Sequence, residues 1–201
     1  MSTRLTSRDL ALIAVFAALI AVLGLPGSIS LPISSVPITA QTLGVMLAGS
    51  ILGGRRGALA VIVLLLLVAA GLPLLAPSKF RPQGGLGVFT SLTWGYLIGW
   101  VPGAWVIGRL VEMRPTRAVG PTLLTWIATA NAIGGMAVVY LFGVLGFWVM
   151  SGKSFATALA PLVTFLPGDL LKVAVSTVVT AAVIRGYPGI VPGRRRTGVQ
   201  L

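Results

Sequence analysis

The sequence contains no cysteine and no histidine, and only three of its 201 residues are acidic: Asp9, Glu112 and Asp169. Without cysteine there is no disulfide framework, no thiol nucleophile and no thiolate metal site. Without histidine the chain lacks the usual general base and the commonest metal ligand. We therefore expect neither a bound metal nor a cofactor.

Charge is scarce overall, at 9% of residues, against about a quarter in a soluble domain. Hydrophobic residues make up 56% of the chain and the mean hydropathy is +1.01. This composition predicts an integral membrane protein, with residues 1–201 forming a single transmembrane domain in the lipid bilayer. The net charge of +12 does not indicate a nucleic-acid partner, because the basic residues lie at the ends of hydrophobic runs, where they orient membrane proteins.

Six apolar runs predict an all-α protein with six transmembrane helices. The runs cover residues 10–25, 38–52, 58–72, 91–109, 122–149 and 155–184. The first run follows a basic start, as in a signal peptide, but no clear cleavage site follows it, so we expect an uncleaved span. Eleven arginines fall on the side of the termini, against Lys79, Arg81 and Lys153 on the other side. The positive-inside rule then places both termini in the cytoplasm.

The sixth run carries two charges, Asp169 and Lys172, three residues apart and therefore on one face of a helix. Charges at membrane depth are costly and usually mark a substrate or ion path. The favoured interpretation is a ligand-facing site; the alternative is a structural ion pair between helices. Pro167 and Gly168 precede the pair and can break or start a helix, and a broken backbone at membrane depth is tolerated where it lines a cavity. Counting back from Arg185 at 1.5 Å per residue puts Asp169 roughly 24 Å from the cytoplasmic end, in the outer half of the membrane.

Further polar side chains are expected near the same outer end. The set is Thr39, Gln41, Lys79, Arg81, Gln83, Thr93, Trp94, Tyr96 and Asn131. One acid with several cations, amides and aromatic rings would suit a small anion with an amide-like ring, its carboxylate on a cation and its ring N–H groups on Asp169. Two alternatives stay open: Trp94 and Tyr96 could form an interfacial aromatic belt, and Asn131 is favoured as a helix–helix hydrogen-bonding residue.

Two stripes of small residues predict close helix packing. Gly95, Gly99 and Gly103 recur every fourth residue in the fourth run, and an alanine stripe in the first run includes Ala14 and Ala18. The alanines could pack inside the bundle or receive a separate membrane subunit, and the spacing favours neither.

Catalytic motifs are weak. Gly152-Lys153-Ser154 lacks the first glycine, the strand and the acidic partner of a phosphate-binding loop. An intramembrane aspartic protease would need a second carboxylate. An intramembrane hydrolase with Lys172 as base and Ser176 as nucleophile remains as an alternative from a different class.

Six ordered motifs carry a family resemblance. They are Val36-Pro37-Ile38-Thr39-Ala40-Gln41-Thr42-Leu43-Gly44, Gly53-Gly54-Arg55-Arg56-Gly57-Ala58, Gly71-Leu72-Pro73, Gly84-Gly85-Leu86-Gly87-Val88, Thr93-Trp94-Gly95-Tyr96-Leu97-Ile98-Gly99 and Pro167-Gly168-Asp169-Leu170-Leu171-Lys172. Over nearly the whole chain, the sequence resembles the BioY family, the biotin-binding S components of energy-coupling factor (ECF) transporters.

The resemblance implies a non-enzymatic, six-helix S component of the bacterial inner membrane that captures biotin from outside. It further implies a membrane coupling subunit, docked at Ala14 and Ala18, and two cytoplasmic ATPase subunits. The family's biotin-binding acid and lysine match Asp169 and Lys172. Its contacts from the third-to-fourth connection have Lys79, Arg81 and Gln83 as candidates. An S component for another small vitamin-like ligand is the alternative within this architecture.

Overall fold

The computed structural model describes residues 5–29, 38–78, 81–115, 120–187 and 189–190, and in these ranges the chain is helical apart from loops and one short hairpin. The helices are α1 (Ser7–Val22), α2 (Gln41–Leu52), α3 (Gly54–Ala69), α4 (Trp94–Glu112), α5 (Gly120–Asn131), α6 (Val139–Ser151) and α7 (Phe155–Gly186), with a short 3-10 helix, Leu86–Thr90, before α4. The expected all-helical class is confirmed.

Helices α5 and α6 form one continuous rod, because the π-helical segment Ala132–Val138 joins them without a break. This rod, Gly120–Ser151, and α7 each have 32 residues, and both are long and apolar enough to cross a membrane. At 1.5 Å per residue each rod is about 48 Å long, more than the roughly 30 Å of a hydrocarbon core.

The short hairpin pairs β1 (Ser28–Ile29) with β2 (Ile38–Thr39) in antiparallel register, with Ser28 opposite Thr39. The second apolar run was expected to be helical from residue 38. Because residues 38 and 39 are used in the hairpin, helix α2 begins later, at Gln41.

Helix α2 is the central element, with ten of its twelve residues buried. It packs against α1, α3, α4 and α7, and the single residue Gly53 connects it to α3. A helix surrounded on all sides can be apolar around its whole circumference, which explains why the sequence of α2 shows almost no polar face.

The predicted glycine face of α4 is confirmed, since it forms the contact with the α5–α6 rod. A Cβ atom on Gly95 would lie 2.3 Å from the carbonyl oxygen of Phe142 and 2.8 Å from the Cα of Gly146. Only glycine allows the two backbones to approach so closely.

Helix α7 is continuous from Phe155 to Gly186, so Pro167 and Gly168 neither break nor start a helix here. The ring of Pro167 lies on an exposed side of the helix, away from the packed helices. A proline removes one intrahelical hydrogen bond, to the carbonyl four residues earlier, and here that carbonyl belongs to the exposed Val163. The helix therefore continues past Pro167 to Asp169 and Lys172.

The first described helix and the last described residue, Ile190, meet at one end of the bundle, around Arg56. Its Nη1 lies 2.8 Å from Asp9 Oδ1, and its Nη2 donates to the carbonyl oxygen of Ile190 over 2.7 Å. At the same end, Glu112 accepts a 2.9 Å hydrogen bond from the amide of Gly54 and pairs with Arg109 at 2.8 Å. These contacts hold the α2–α3 turn against α1 and α4.

Candidate ligand-binding site

The two charges of α7 lie together inside the bundle. Lys172 Nζ is 2.7 Å from Asp169 Oδ1, and the side chains are only 13% and 7% exposed. Such a pair is costly to desolvate, and the cost is offset only when further hydrogen bonds satisfy the remaining donors and acceptors.

Two other helices supply those hydrogen bonds. The hydroxyl of Tyr140, on α6, donates to Asp169 Oδ2 over 2.6 Å. Lys172 Nζ donates to Thr42 Oγ1, on α2, over 2.9 Å. The charges are therefore connected to α2 and α6 as well as to each other, and their positions are fixed from three directions.

An aromatic wall lies beside this network. The rings of Tyr96 and Phe165 meet edge to face with centroids 5.8 Å apart, and Tyr140 lies 6.3 Å from Phe165 in a tilted arrangement. Trp100 also borders the site and is 4% exposed. Such surfaces suit the apolar body of a small ligand.

A second cation, Arg81, comes from the loop between α3 and α4 and is 7% exposed. Its Nη1 donates to the carbonyl oxygen of Pro82 over 3.2 Å. Within the described ranges, no carboxylate lies within salt-bridge distance of Arg81. Burial lowers the pKa of Arg81 to about 10, so the guanidinium still carries its charge near neutral pH. A buried cation without an anionic neighbour is a strong site for an anion.

These groups share one cavity of about 550 Å³, its open mouth included. The cavity is lined by Ile38, Thr39, Thr42, Arg81, Thr93, Tyr96, Leu97, Trp100, Gly135, Val139, Tyr140, Phe165, Asp169 and Lys172. Its cation suits an anionic group of a ligand. The carboxylate–ammonium pair suits a ligand edge with a donor and an acceptor side by side, and the aromatic rings suit an apolar ring or chain. Within the described ranges, no cluster of side chains suited to holding a metal ion is present.

The cavity brings together six of the polar residues singled out from the sequence: Thr39, Arg81, Thr93, Tyr96, Asp169 and Lys172. Lys79 lies outside the described residues. Contact of the six with a ligand stays a prediction.

Four other predicted residues lie away from this cavity. Gln41 is fully buried, and its amide donates to the carbonyl oxygens of Ile20 and Leu74 while accepting from the amide of Ala76. These three bonds tie α2 to α1 and to the loop that follows α3, so Gln41 has a structural role in the bundle.

Asn131 makes the helix–helix hydrogen bond that was its favoured interpretation, accepting from Ser50 Oγ over 2.9 Å. Trp94 lies at the contact of α4 with Gly146, and Gln83 lines a second, more apolar cavity near the end of α1.

Tyr140, Phe165 and Thr42 also line the cavity, although they were not among the predicted site residues. Thr42 was visible among the polar residues at the start of the second run, three residues after Thr39. The sequence pattern did not indicate a role for Tyr140, because it is one aromatic residue within a long apolar run. Its position depends on the π-helical segment, which the residue pattern did not predict.

The alanine stripe of α1 faces outward. Ala14 and Ala18 are exposed, while Ile13, Ala17 and Ile20 are buried against the bundle. The proposed hydrolytic pair is not formed: Lys172 bonds Asp169 and Thr42, and Ser176 Oγ has no hydrogen-bond partner within the described ranges.

A bundle of apolar helices around a charged, aromatic-lined cavity defines a membrane protein that binds a small polar molecule. The sequence profile of the BioY family matches residues 1–189, and the chain belongs to that family.

The chain is similar to characterised relatives over nearly its full length. It is 44% identical to the biotin transporter BioY of Rhizobium etli, over 94% of this chain and 100% of that protein. It is 42% identical to the biotin transporter BioY of Rhodobacter capsulatus, over 93% and 98% respectively. Its fold matches the crystal structure of the S-component for biotin from an ECF-type ABC transporter, with a TM-score of 0.80, 25% identity, and coverage of 90% of this chain and 95% of that one.

Proposed function

We propose that this chain captures biotin from outside the cell as the substrate-specific S component of an ECF-type transporter. The observation that carries the proposal is the shared cavity, which is lined by Arg81, by the Asp169–Lys172 pair and by aromatic rings. Biotin has a carboxylate at one end, a cyclic urea at the other, and an apolar ring and chain between them, and the cavity offers a matching group for each of these parts.

Each part of the cavity has a role in this arrangement. Arg81 receives the carboxylate through charge-assisted hydrogen bonds. The edge of the cyclic urea presents an N–H donor next to a C=O acceptor, and Asp169 and Lys172 present an acceptor next to a donor. Tyr96, Trp100 and Phe165 cover the apolar part. Biotin is bound and released without chemical change, so no catalytic residue or cofactor is required.

Equilibrium binding of labelled biotin to the purified full chain tests this proposal. We expect saturable binding that unlabelled biotin and dethiobiotin, which retains both the urea and the carboxylate, displace. Lipoic acid, which has a carboxylate but no urea, should displace it poorly. Absence of saturable binding below micromolar biotin would overturn the proposal, and displacement by a different vitamin alone would favour the related S-component alternative.

We further propose that the chain is one transmembrane domain with six spans in the bacterial inner membrane and with both termini in the cytoplasm. The contacts of Arg56 with both Asp9 and Ile190 support termini on a common side. The excess of arginine on that side of the membrane supports a cytoplasmic location for both termini. Cysteines introduced at Ser7 and Ser78 should react with an impermeant thiol reagent from opposite sides of intact membranes.

The proposed partners are a membrane coupling subunit and two cytoplasmic ATPase subunits. The exposed small residues Ala14 and Ala18 support docking of another helix along α1. Ala14→Trp and Ala18→Trp should reduce co-purification with the coupling subunit without changing biotin affinity. Leu66→Trp, at another exposed position, on α3, is the matched control, and equal loss in all three variants would contradict docking at α1.

A further inference from the structure

Tyr140 holds the one oxygen of the Asp169 carboxylate that Lys172 leaves free. Lys172 Nζ lies 2.7 Å from Oδ1, and the Tyr140 hydroxyl lies 2.6 Å from Oδ2. The lysine is on the same helix as the acid, whereas the tyrosine comes from the neighbouring rod. With both oxygens held from different directions, the plane of the carboxylate is fixed.

The π-helical segment changes the direction of Tyr140 relative to that of Asn131. Asn131, at the end of α5, faces α2 and accepts from Ser50. Tyr140 follows nine residues later, and at about 100° per residue a regular helix would place it roughly half a turn away from Asn131. A π turn holds one more residue than an α turn, which changes the direction of everything after it by about 100°.

The same segment is packed tightly into the bundle, so its conformation is determined by its neighbours. Gly134 and Gly135 lie within it, and a Cβ atom on Gly134 would be 2.5 Å from Ile107 Cγ1 and 2.6 Å from the carbonyl oxygen of Gly103. The rod is therefore held in a register that presents Asn131 to one helix and Tyr140 to another. Single π turns of this kind occur frequently at functional sites.

We infer that Tyr140 is a positioning residue for ligand selectivity, acting through Asp169, and that the π-helical segment exists to place it there. This inference rests on the proposed function, in which Asp169 accepts a ring N–H from the cyclic urea. An ionised carboxylate has about four acceptor positions. With Lys172 and Tyr140 occupying one on each oxygen, the remaining positions have a defined direction, and a ligand without a matching N–H donor gains little there.

Removal of the hydroxyl leaves Oδ2 without a donor in a largely buried site. The carboxylate is then free to rotate towards Lys172, and its remaining acceptor positions no longer point at the urea. The ring of Tyr140 and its contact with Phe165 would be preserved in Tyr140→Phe, so the variant isolates the hydroxyl.

Tyr96→Phe is the matched comparison. Both tyrosine rings contact Phe165, but only the hydroxyl of Tyr140 donates to Asp169. Biotin affinity is measured for the full chain, for Tyr140→Phe and Tyr96→Phe, and for each of these combined with D169N. We expect Tyr140→Phe to weaken binding at least tenfold alone and less than twofold in the D169N background. Tyr96→Phe should change affinity by the same factor in both backgrounds.

An equal effect of Tyr140→Phe in both backgrounds would overturn the inference, because the hydroxyl would then act independently of Asp169. If D169N alone removes measurable binding, the affinities of the two single tyrosine variants test the inference instead. Equal losses of biotin affinity in Tyr140→Phe and Tyr96→Phe would then overturn the inference. These results differ from failure of the proposed function itself, in which the unaltered protein would not bind biotin, and the inference would fail with it.

Discussion

The ammonium of Lys172 lies between the carboxylate of Asp169, 2.7 Å away on the same helix, and the hydroxyl of Thr42, 2.9 Å away on α2. A lysine held on two sides has one of its three N–H donors left for a ligand. The same holds for Asp169, which keeps acceptor positions beyond those used by Lys172 and Tyr140. The pair is thus both a structural connection between helices and a preformed polar edge inside the cavity.

The first prediction concerns this pair. Asp169→Asn and Lys172→Ala should each weaken biotin binding by about 2–5 kcal/mol, because removing one partner leaves the other charge buried without its counter-ion. Isothermal titration of the purified variants would measure the loss. Lys153→Ala, at an exposed position, should bind like the unaltered protein. Full affinity in both pair variants would mean that the pair is only structural.

The second prediction assigns the ligand carboxylate to Arg81. Arg81→Gln should weaken binding of biotin by about 1.5–3 kcal/mol, the usual size of a hydrogen bond to a charged group. Biotinamide has the same ring system and chain but no negative charge. The variant should therefore bind biotinamide about as well as the unaltered protein does, and comparing the two ligands by titration separates loss of the charge contact from general damage to the cavity. A parallel loss for both ligands would place the carboxylate elsewhere.

The third prediction concerns acid stability at the end of the bundle where Arg56 contacts Asp9 and Ile190. Hydrogen bonds from the backbone and hydroxyl of Thr6, together with Arg56, lower the pKa of Asp9 from 3.8 to about 2. Because the folded-state pKa lies below the unfolded one, the ionised carboxylate stabilises the fold above about pH 4, and this contribution is lost as the pH falls towards 2.

Thermal unfolding of the detergent-solubilised protein between pH 2 and 6 would measure this effect. Asp9→Asn should lower the melting temperature at pH 6 and should remove part of its decrease below pH 4. Biotin affinity at neutral pH should not change, because Asp9 and Arg56 do not line the ligand cavity. An unchanged acid profile in Asp9→Asn would show that other groups are responsible.

The fourth prediction tests the contact between α4 and α6. Gly95→Ala places a methyl group 2.3 Å from the Phe142 carbonyl oxygen, so α4 and α6 must move apart. We expect this overpacking to cost about 1–3 kcal/mol of stability. Tyr96 follows directly on α4 and lines the cavity, so biotin affinity should decrease with stability.

Gly186→Ala is the control for this substitution, since a Cβ atom there has no neighbour within 4 Å. It should leave the melting temperature of the ligand-free protein within a degree or two. If Gly95→Ala also melts within a degree or two of the unaltered protein, then α4 and α6 can separate without a cost in stability.

Local patterns were sufficient to predict several features. The helical runs, the shared face of Asp169 and Lys172, and the glycine face of α4 depend on spacing along one helix, where 3.6 residues per turn relate sequence to direction. Pro167 shows the limit of this reasoning. The residue pattern allowed a helix break there, but a proline whose ring faces outward is compatible with a continuous helix.

Thus the sequence alone determined an apolar, charge-poor helical protein with one buried acid beside one lysine, since hydrophobicity and helical periodicity are properties of the chain itself. Only the tertiary structure decided which distant side chains complete the site. Tyr140 reaches Asp169 across 29 positions and Thr42 reaches Lys172 across 130, while Gln41 and Asn131 join helices away from the cavity. The physical reason is that the rotation of each helix about its own axis is set by its neighbours and by the π turn, and no local pattern contains that rotation.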